Sequence, residues 1–550
     1  MKRWLTLASL FVLLVAFLVA PNAVTQEDQI VIGTTDRITN LSPANSYDYW
    51  TWHTFQDTSD GLLELPPNST ELAPALATDY SVSEDGTTYT FQLREGVTHT
   101  DGSPFNCQTM AWSLARNMAL NGPEGGVGLI GMIDSISCGS ETLETELGES
   151  PTQDELQAFL DADVEDNHEM VVAINSPDAT FLARMAGTIG AGVALSPEST
   201  PAGSFAEGEF AGTGPYRLTE YEPEVQTVYD AYEDYWNEDY PKTSRIVNRF
   251  YADASALRAA IEGGEIDVAY RTMQPADILD LRSRADSLGL NVQQGESSLS
   301  VRYMVFNVTA EPFNNADVRR AVSYAVDRQR IVQDIFFGLN DPLYSMVPPG
   351  LWSSTDAFPE RDLGQARQLL QQAGYSEDNP LEVTLWYSPL HYGSSEADVA
   401  TVLQDSMEAT GMMDVELRSL EWGAYTSAFA SGELGMFLLG WYPDFIDPDN
   451  FLAPWLTESP QGLGTYLNQG EGYNAEVYDQ FTSLLSDAKA TTNQNARAGY
   501  YESAQELLAE SVVLLPLWQN NSQHVAISKE GVEGIVLDAS MNFRTWLLQK

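Results

Sequence analysis

Between Leu381 and Gly440 the chain switches periodicity repeatedly, and few folds satisfy that pattern. LEVTLWYS (381–388), VELRSL (415–420) and GMFLLG (435–440) read as strands, while SEADVATVLQDSMEAT (395–410) and WGAYTSAFAS (422–431) read as helices. Strands alternating with helices call for crossovers that carry each helix over the face of a partly parallel sheet, so this stretch predicts an open α/β lobe. Ser395 with Asp398 gives the longer helix a capping-box-like start, and Gly411 gives it a stop. In such sheets ligands sit beyond strand ends. The last strand ends in LGWYPDFIDPDNF (439–451), which carries Asp444, Asp447 and Asp449 around two prolines and so forms neither one helix nor one strand. Aromatic faces beside a carboxylate suit a ligand floor, and they suit equally a Pro-rich turn packed on its own rings.

The remaining segments assemble around that lobe. QIVIGT (29–34) reads as a buried strand, and Ser83-Glu84-Asp85-Gly86 as the turn of a hairpin leading into TTYTFQL, with Tyr89, Phe91 and Leu93 alternating. Phe105–Arg116 has helical spacing, and Asn121–Thr152 reads as a surface excursion. DELQAFLDA predicts a helix and EMVVAINS a strand. Asp253–Gly263 is helical and EIDVAY a strand; LSVRYMVFNV is a long apolar strand, and Asp317–Phe337 a single amphipathic helix. HVAIS near the C-terminus can return to the first lobe. The division that follows is a first lobe of 28–75, 200–292 and 510–550, a small subdomain of 76–199 inserted in it, and a second lobe of 293–509.

Residues 1–27 have the layout of an export signal: Met1-Lys2-Arg3, then an uncharged apolar run to Ala20, either cleaved near Pro21-Asn22-Ala23 or kept as an N-terminal anchor. The mature protein is therefore expected outside the cytoplasm, periplasmic or at the cell surface. There an even pair of cysteines, Cys107 and Cys138, favours one disulfide. With 27 basic against 79 acidic residues the net charge is −52, which repels phosphate backbones and excludes nucleic acid as a partner.

No phosphate loop, zinc-protease helix or nucleophile elbow occurs in the sequence. His99, His168 and His391 are isolated. The cluster around Asp447 and Asp449 lacks the spacing and glycine of a calcium loop. No cofactor or metal is expected, and no catalysis.

Six blocks stand in a particular order: ALATDYSVSEDGTTYTFQLREGVTHTDGSPF (75–105), GTGPYRL (212–218), DYW (234–236), GEIDVAY (264–270), ADVRRAVSYAVDRQRIV (316–332) and GWYPDFIDPDNF (440–451). Together they resemble the extracellular solute-binding proteins, family 5, the peptide-, oligopeptide- and nickel-type receptors of ABC importers. The resemblance implies a two-lobed periplasmic-binding-protein fold, type II-like with an extra small subdomain, closing as a monomer over a peptide-like solute and delivering it to membrane permease subunits. It implies that ligand backbone adds as a strand against Gly440, Trp441 and Tyr442, and that Asp444 pairs with the ligand's amino terminus. It also implies that Trp112 lies either near the ligand or in helix–sheet packing.

Two departures matter. Cys107 and Thr109 replace the family's small residue and acid. The segment in which dipeptide binders place a basic residue for the ligand's carboxylate reads WYSPLHYGSSEAD (386–398), without Arg or Lys, leaving Trp386, His391 and Tyr392 as candidates. An oligosaccharide or metal chelate is the alternative cargo. A glycoside hydrolase built on Asp444, Asp447 and Asp449 is disfavoured, because its two acids must flank the scissile bond from opposite sides.

Overall fold

A computed structural model describes residues 29–120, 130–145, 152–165, 167–186, 192–457 and 473–550. The export signal or anchor at 1–27 lies outside the described residues. The rest forms three sheet-based units.

The first lobe is built on a seven-stranded sheet, ordered Leu290–Gln294, Val525–Lys529, Val268–Tyr270, Gln29–Thr34, Arg245–Phe250, Gln226–Ala231 and Tyr216–Glu222. Gln29–Thr34 runs parallel to both of its neighbours. The HVAIS segment thus does return here, pairing with Val268–Tyr270 and Leu290–Gln294.

The second lobe has six strands, in the order Asp341–Pro342, Leu514–Gln519, Val301–Phe306, Met436–Trp441, Leu381–Tyr387 and Met413–Ser419. The alternating stretch supplies its parallel half, Leu381–Tyr387 lying parallel to Met413–Ser419 and to Met436–Trp441. Val301–Phe306 is buried at every position between two antiparallel neighbours.

The structure differs from the sequence expectation at three places in this lobe. Leu514–Gln519, assigned above to the first lobe, is a wholly buried strand paired with Val301–Phe306, so the chain leaves the second lobe after Gln519 and not at 510. Asp317–Phe337 is not one helix. Ala316–Ala325 stops where Val326 turns extended, and Asp327 caps a new short turn through Arg330 N before a π-helical turn at Ile331–Ile335. Ser395 makes no capping hydrogen bond to the helix Glu396–Glu408; its own dihedrals are already helical, whereas a capping residue is typically extended.

Two adjacent crossings link the lobes, one between Gln294 and Val301 and the other between Gln519 and Val525. Asn520 N donates to Ser300 O (2.9 Å), and Ser298 N to Asn521 Oδ1 (2.8 Å), which ties the crossings together. Paired crossings of this kind make a hinge.

The subdomain carries a five-stranded antiparallel sheet, Ala77–Val82, Thr88–Leu93, Glu169–Ile174, Ile133–Cys138 and Glu141–Glu144. Within the expected surface excursion, residues 130–145 therefore contribute two strands; 121–129 and 146–151 lie outside the described residues. The helix Cys107–Leu120 covers the sheet. Cys107 at its first position is bonded to Cys138 at a strand end, with Cα atoms 5.8 Å apart. The GTGPYRL block joins the subdomain to the first lobe. A Cβ on Gly212 would stand 2.3 Å from Thr58 O and one on Gly214 2.4 Å from Ser59 N, so only glycine lets these backbones meet. The DYW block closes on the same joint: Tyr235 Oη and Trp236 Nε1 donate to the two oxygens of Asp60 at 3.0 and 2.9 Å.

Candidate ligand cleft

Beyond the end of Met436–Trp441, the second lobe faces a helix of the first. That helix, Tyr49–Thr58, starts where Asp48 accepts Thr51 N, and its Tyr49, Trp52, His53 and Gln56 fall at the spacing of one helical face. Opposite them stand Tyr442 to Ile446, with Ser540, Met541 and Asn542 closing the side. The space enclosed is about 40 Å³. That is room for a few waters, whereas ligand pockets run to several hundred Å³. The lobes touch across it: Tyr47 of the first lobe donates to Asp444 of the second, and Arg271 of the first to Tyr442 of the second.

Asp444 is the one carboxylate among the described residues lining this space. It is buried, accepts Tyr47 Oη on Oδ1 (3.0 Å) and Asn450 Nδ2 on Oδ2 (3.1 Å), and its own N–H donates to Asn450 Oδ1 (2.8 Å). Burial raises its pKa from 3.8 to about 6; the hydrogen bonds from Asn450 and Tyr47 and the Arg184 cation pull the other way. Tyr47 belongs to the first lobe, so this contact spans the cleft. Arg184, from the subdomain, lies 4.2 Å over the Phe445 ring. His53 is neutral, since burial lowers its pKa to about 4.

The other two acids of the loop are spoken for by their own lobe. Asp447 Oδ1 accepts Arg497 Nη2 at 2.9 Å, and Asp449 Oδ2 stands 3.4 Å from Lys489 Nζ. Asp449 N also donates to Asp447 Oδ1 (3.0 Å), which closes the turn around Pro448, and the helix Asp449–Leu456 starts at once. Among the described residues no group of three or more His, Cys, Asp or Glu side chains is placed to hold a metal ion.

The remaining candidates separate into several environments. Tyr442 lines the cleft. Trp441 turns its ring into the second lobe's core, edge-on to Trp455 (5.0 Å), and donates Nε1 to Asn450 Oδ1 (3.1 Å), so it positions the residue that holds Asp444. Gly440 lies under Arg302 and Tyr392; a Cβ there would meet Arg302 Nη1 at 2.5 Å and Tyr392 Cε1 at 2.9 Å. Tyr392 Oη reaches Gly440 O at 3.4 Å, beneath an Arg302 guanidinium 3.6 Å over its ring.

His391 stacks on Trp422 with centroids 3.5 Å apart, and burial together with the Arg302 cation lowers its pKa to about 4, so at neutral pH it offers no positive charge to a ligand carboxylate. Trp386 is half-buried on its strand, with Arg418 5.7 Å over its ring, and does not line the cleft. Trp112 is not in the cleft either. It is 2% exposed and packed in the subdomain core, where the helix Cys107–Leu120 meets the sheet.

Three arginines near the cleft escaped the sequence reading. Arg184 sits in a short helix with no motif. Arg302 occupies a strand position, yet both faces of that strand are covered, and Glu396 pairs with it. Arg271 follows the GEIDVAY strand; it lies 4.1 Å over Tyr49 and 4.9 Å over Tyr442, and Nη2 donates to Tyr442 Oη (3.0 Å). One signal was legible for the last, a lone Arg placed at a strand end.

Comparison with known proteins decides the family. A model of the bacterial extracellular solute-binding proteins, family 5, matches residues 71–462. The chain belongs to this family. As a family 5 protein it is similar to the di/tripeptide-binding protein 1 of Pseudomonas aeruginosa, 27% identical over 473 residues covering 83% of this chain and 82% of that one. It is similar as well to the heme-binding protein A of Haemophilus influenzae, 28% identical over 485 residues covering 84% and 81%. Its fold matches the crystal structure of a dipeptide-binding protein from a Pseudoalteromonas species in complex with Met-Leu, with a TM-score of 0.76, 24% identity, and coverage of 95% and 100%. The two-lobed fold read from the sequence blocks is therefore that of the family, whose members are solute-binding proteins.

Proposed function

We propose that this family 5 protein is the extracytoplasmic receptor of an ABC importer for short peptides, held in the closed cleft with their amino terminus on Asp444, and that it presents the closed, loaded form to membrane permease subunits. The observation that carries the reading is the setting of Asp444. A carboxylate is buried in the cleft wall where hydrogen bonds from Asn450 and Tyr47 and the Arg184 cation offset burial only in part, so its pKa rises, and a ligand ammonium group is a partner that favours the charged form. The strand end at Gly440–Tyr442 beside it supplies backbone groups that bind without regard to side chains. The similarity to a di/tripeptide-binding protein supports peptide cargo.

In this reading Gly440 and Tyr442 contact the ligand, Trp441 orients Asn450, and Tyr47 holds Asp444 until a ligand replaces it. The mature protein works outside the cytoplasm as a monomer, the N-terminal segment directing export. Binding shifts the lobes toward closure by the difference in ligand affinity between open and closed states. Native mass spectrometry of the purified protein, followed by identification of whatever is released, tests this directly. Short peptides with free amino termini are expected; a co-purified sugar or metal chelate would refute it.

A further inference from the structure

The subdomain reaches the second lobe at the loop that carries Asp444. Its segment 178–185 makes a turn and one short helix, Phe181–Arg184, and stands on the first lobe, where Met185 O accepts Leu63 N at 3.0 Å. Arg184 is 6% exposed. Its Nε donates to Thr180 Oγ1 (2.9 Å), which in turn donates to Asp178 Oδ1 (2.6 Å), and Asp178 Oδ2 stands 3.9 Å from Nη2. So held, the guanidinium lies 4.2 Å over the ring of Phe445, the neighbour of Asp444 and itself buried. Ile446, next along, packs against the core of the second lobe and against that of the subdomain.

A second tie runs through Lys489. Ala179 N donates to Lys489 O at 2.9 Å. Lys489 is the last residue of the helix Tyr473–Lys489, where backbone carbonyls run out of partners within the helix, so the subdomain caps a helix of the other lobe. The same residue's Nζ stands 3.4 Å from Asp449 Oδ2, and Asp449 N closes the turn onto Asp447. The loop is thus gripped at both ends, and Asp444 and Asp449 both feel the Arg184 cation.

These contacts cross from one moving body to another. The subdomain is fixed to the first lobe by the backbones of Gly212 and Gly214 against Thr58 and Ser59, and by Tyr235 and Trp236 on Asp60. The second lobe joins the first through the hinge crossings at 294–301 and 519–525. Rotation about that hinge carries the subdomain away from the loop, so the contacts form as the lobes meet. An interaction made in the closed form alone slows release and leaves encounter with the open form unchanged.

We propose that the subdomain is a closing element of the receptor: Arg184 on Phe445 and the Ala179 N–H on the Lys489 carbonyl latch it to the ligand loop, so that Arg184 positions the loop around a bound peptide and slows its release without touching it. This rests on the peptide reading above. Arg184 is not among the residues lining the cleft space, which makes it a positioning residue.

The test is stopped-flow fluorescence of the full mature protein with the peptides Ala-Phe and Ala-Phe-Ala, read through Trp52 in the cleft, with calorimetry beside it. Arg184→Gln is expected to speed release about tenfold and to leave the association rate within threefold of wild type. Phe445→Leu should speed release as well, and the double variant should release no more than threefold faster than the faster single, because both substitutions break one contact. Release by Arg184→Gln within threefold of wild type, or effects that multiply in the double variant, would overturn the latch while leaving the peptide reading intact. If wild type binds neither peptide in calorimetry, the peptide reading fails and this inference with it. Should Arg184→Gln lose its folded circular dichroism, Arg184→Lys is measured instead. It keeps a cation without the flat guanidinium face and should speed release threefold or more; a smaller change overturns the assignment.

Discussion

Replacing Asp444 by Asn changes one proton and almost no volume, and its effect on stability and on binding should have opposite signs. In the closed protein the carboxyl pKa is raised from 3.8 to about 6. At about 1.4 kcal/mol per pKa unit, that amounts to about 3 kcal/mol. Because the folded value lies above the unfolded one, the native state holds the proton more tightly. The contribution is fully present below pH 3.8 and is lost as pH rises through 6. Ionised Asp444 therefore costs the ligand-free closed form about 3 kcal/mol at pH 7.5.

Asn in its place keeps Oδ1 for Asn450 Nδ2 and offers Nδ2 to Tyr47 Oη, which can accept by rotating. Asp444→Asn should thus be more stable than wild type by about 1–3 kcal/mol at pH 7.5, with the gap closing near pH 4. Denaturant unfolding at the two pH values reads this. Peptide affinity should fall in the same variant by about 2–5 kcal/mol, the range for losing one partner of a buried charge pair. A variant that is less stable than wild type at pH 7.5 and binds peptide within threefold of it would refute the reasoning on both counts.

Gly440→Ala should weaken peptide binding by tenfold or more and cost about 1–3 kcal/mol of stability, because its Cβ meets an Arg302 that is pinned by Glu396 and cannot step aside; calorimetry and thermal melting check it. Replacing both Cys107 and Cys138 by Ser opens a loop of sequence separation 31. Chain entropy puts that at about 3–4 kcal/mol, seen as a lower denaturant midpoint with peptide affinity unchanged once folded. Trp112→Ala should cost about 3–5 kcal/mol through the subdomain core and leave peptide affinity within threefold, whereas a ligand-contacting Trp112 would lose affinity as well.

What the sequence disclosed was what local periodicity and short-range chemistry encode. The switch between strand and helix over 381–440 dictated the parallel half of the second sheet, since only crossover helices connect such strands. Two prolines and three acids marked the loop at the end of Met436–Trp441. What it withheld was decided by tertiary neighbours. Leu514–Gln519 reads as any buried strand, and only its pairing with Val301–Phe306 assigns it to the second lobe. The periodicity of Asp317–Phe337 hides the break at Val326, because an extended residue followed by a new cap preserves the apolar stripe. Trp112 could face a ligand or a core by its spacing alone, and only the sheet behind its helix reveals the apolar cluster in which it is buried. Tyr47 lies far from Asp444 in the chain, as Arg271 does from Tyr442, and neither carries a motif. These contacts depend on how the lobes close.

The most direct test of the account is calorimetry of wild-type protein with a short peptide and with its Nα-acetylated counterpart, which differ in the ammonium group that Asp444 is held to bind. Acetylation is expected to lower affinity by 100-fold or more, and affinity for the unmodified peptide to decline below pH 6, where Asp444 takes up a proton. Equal affinity for the two peptides would contradict it.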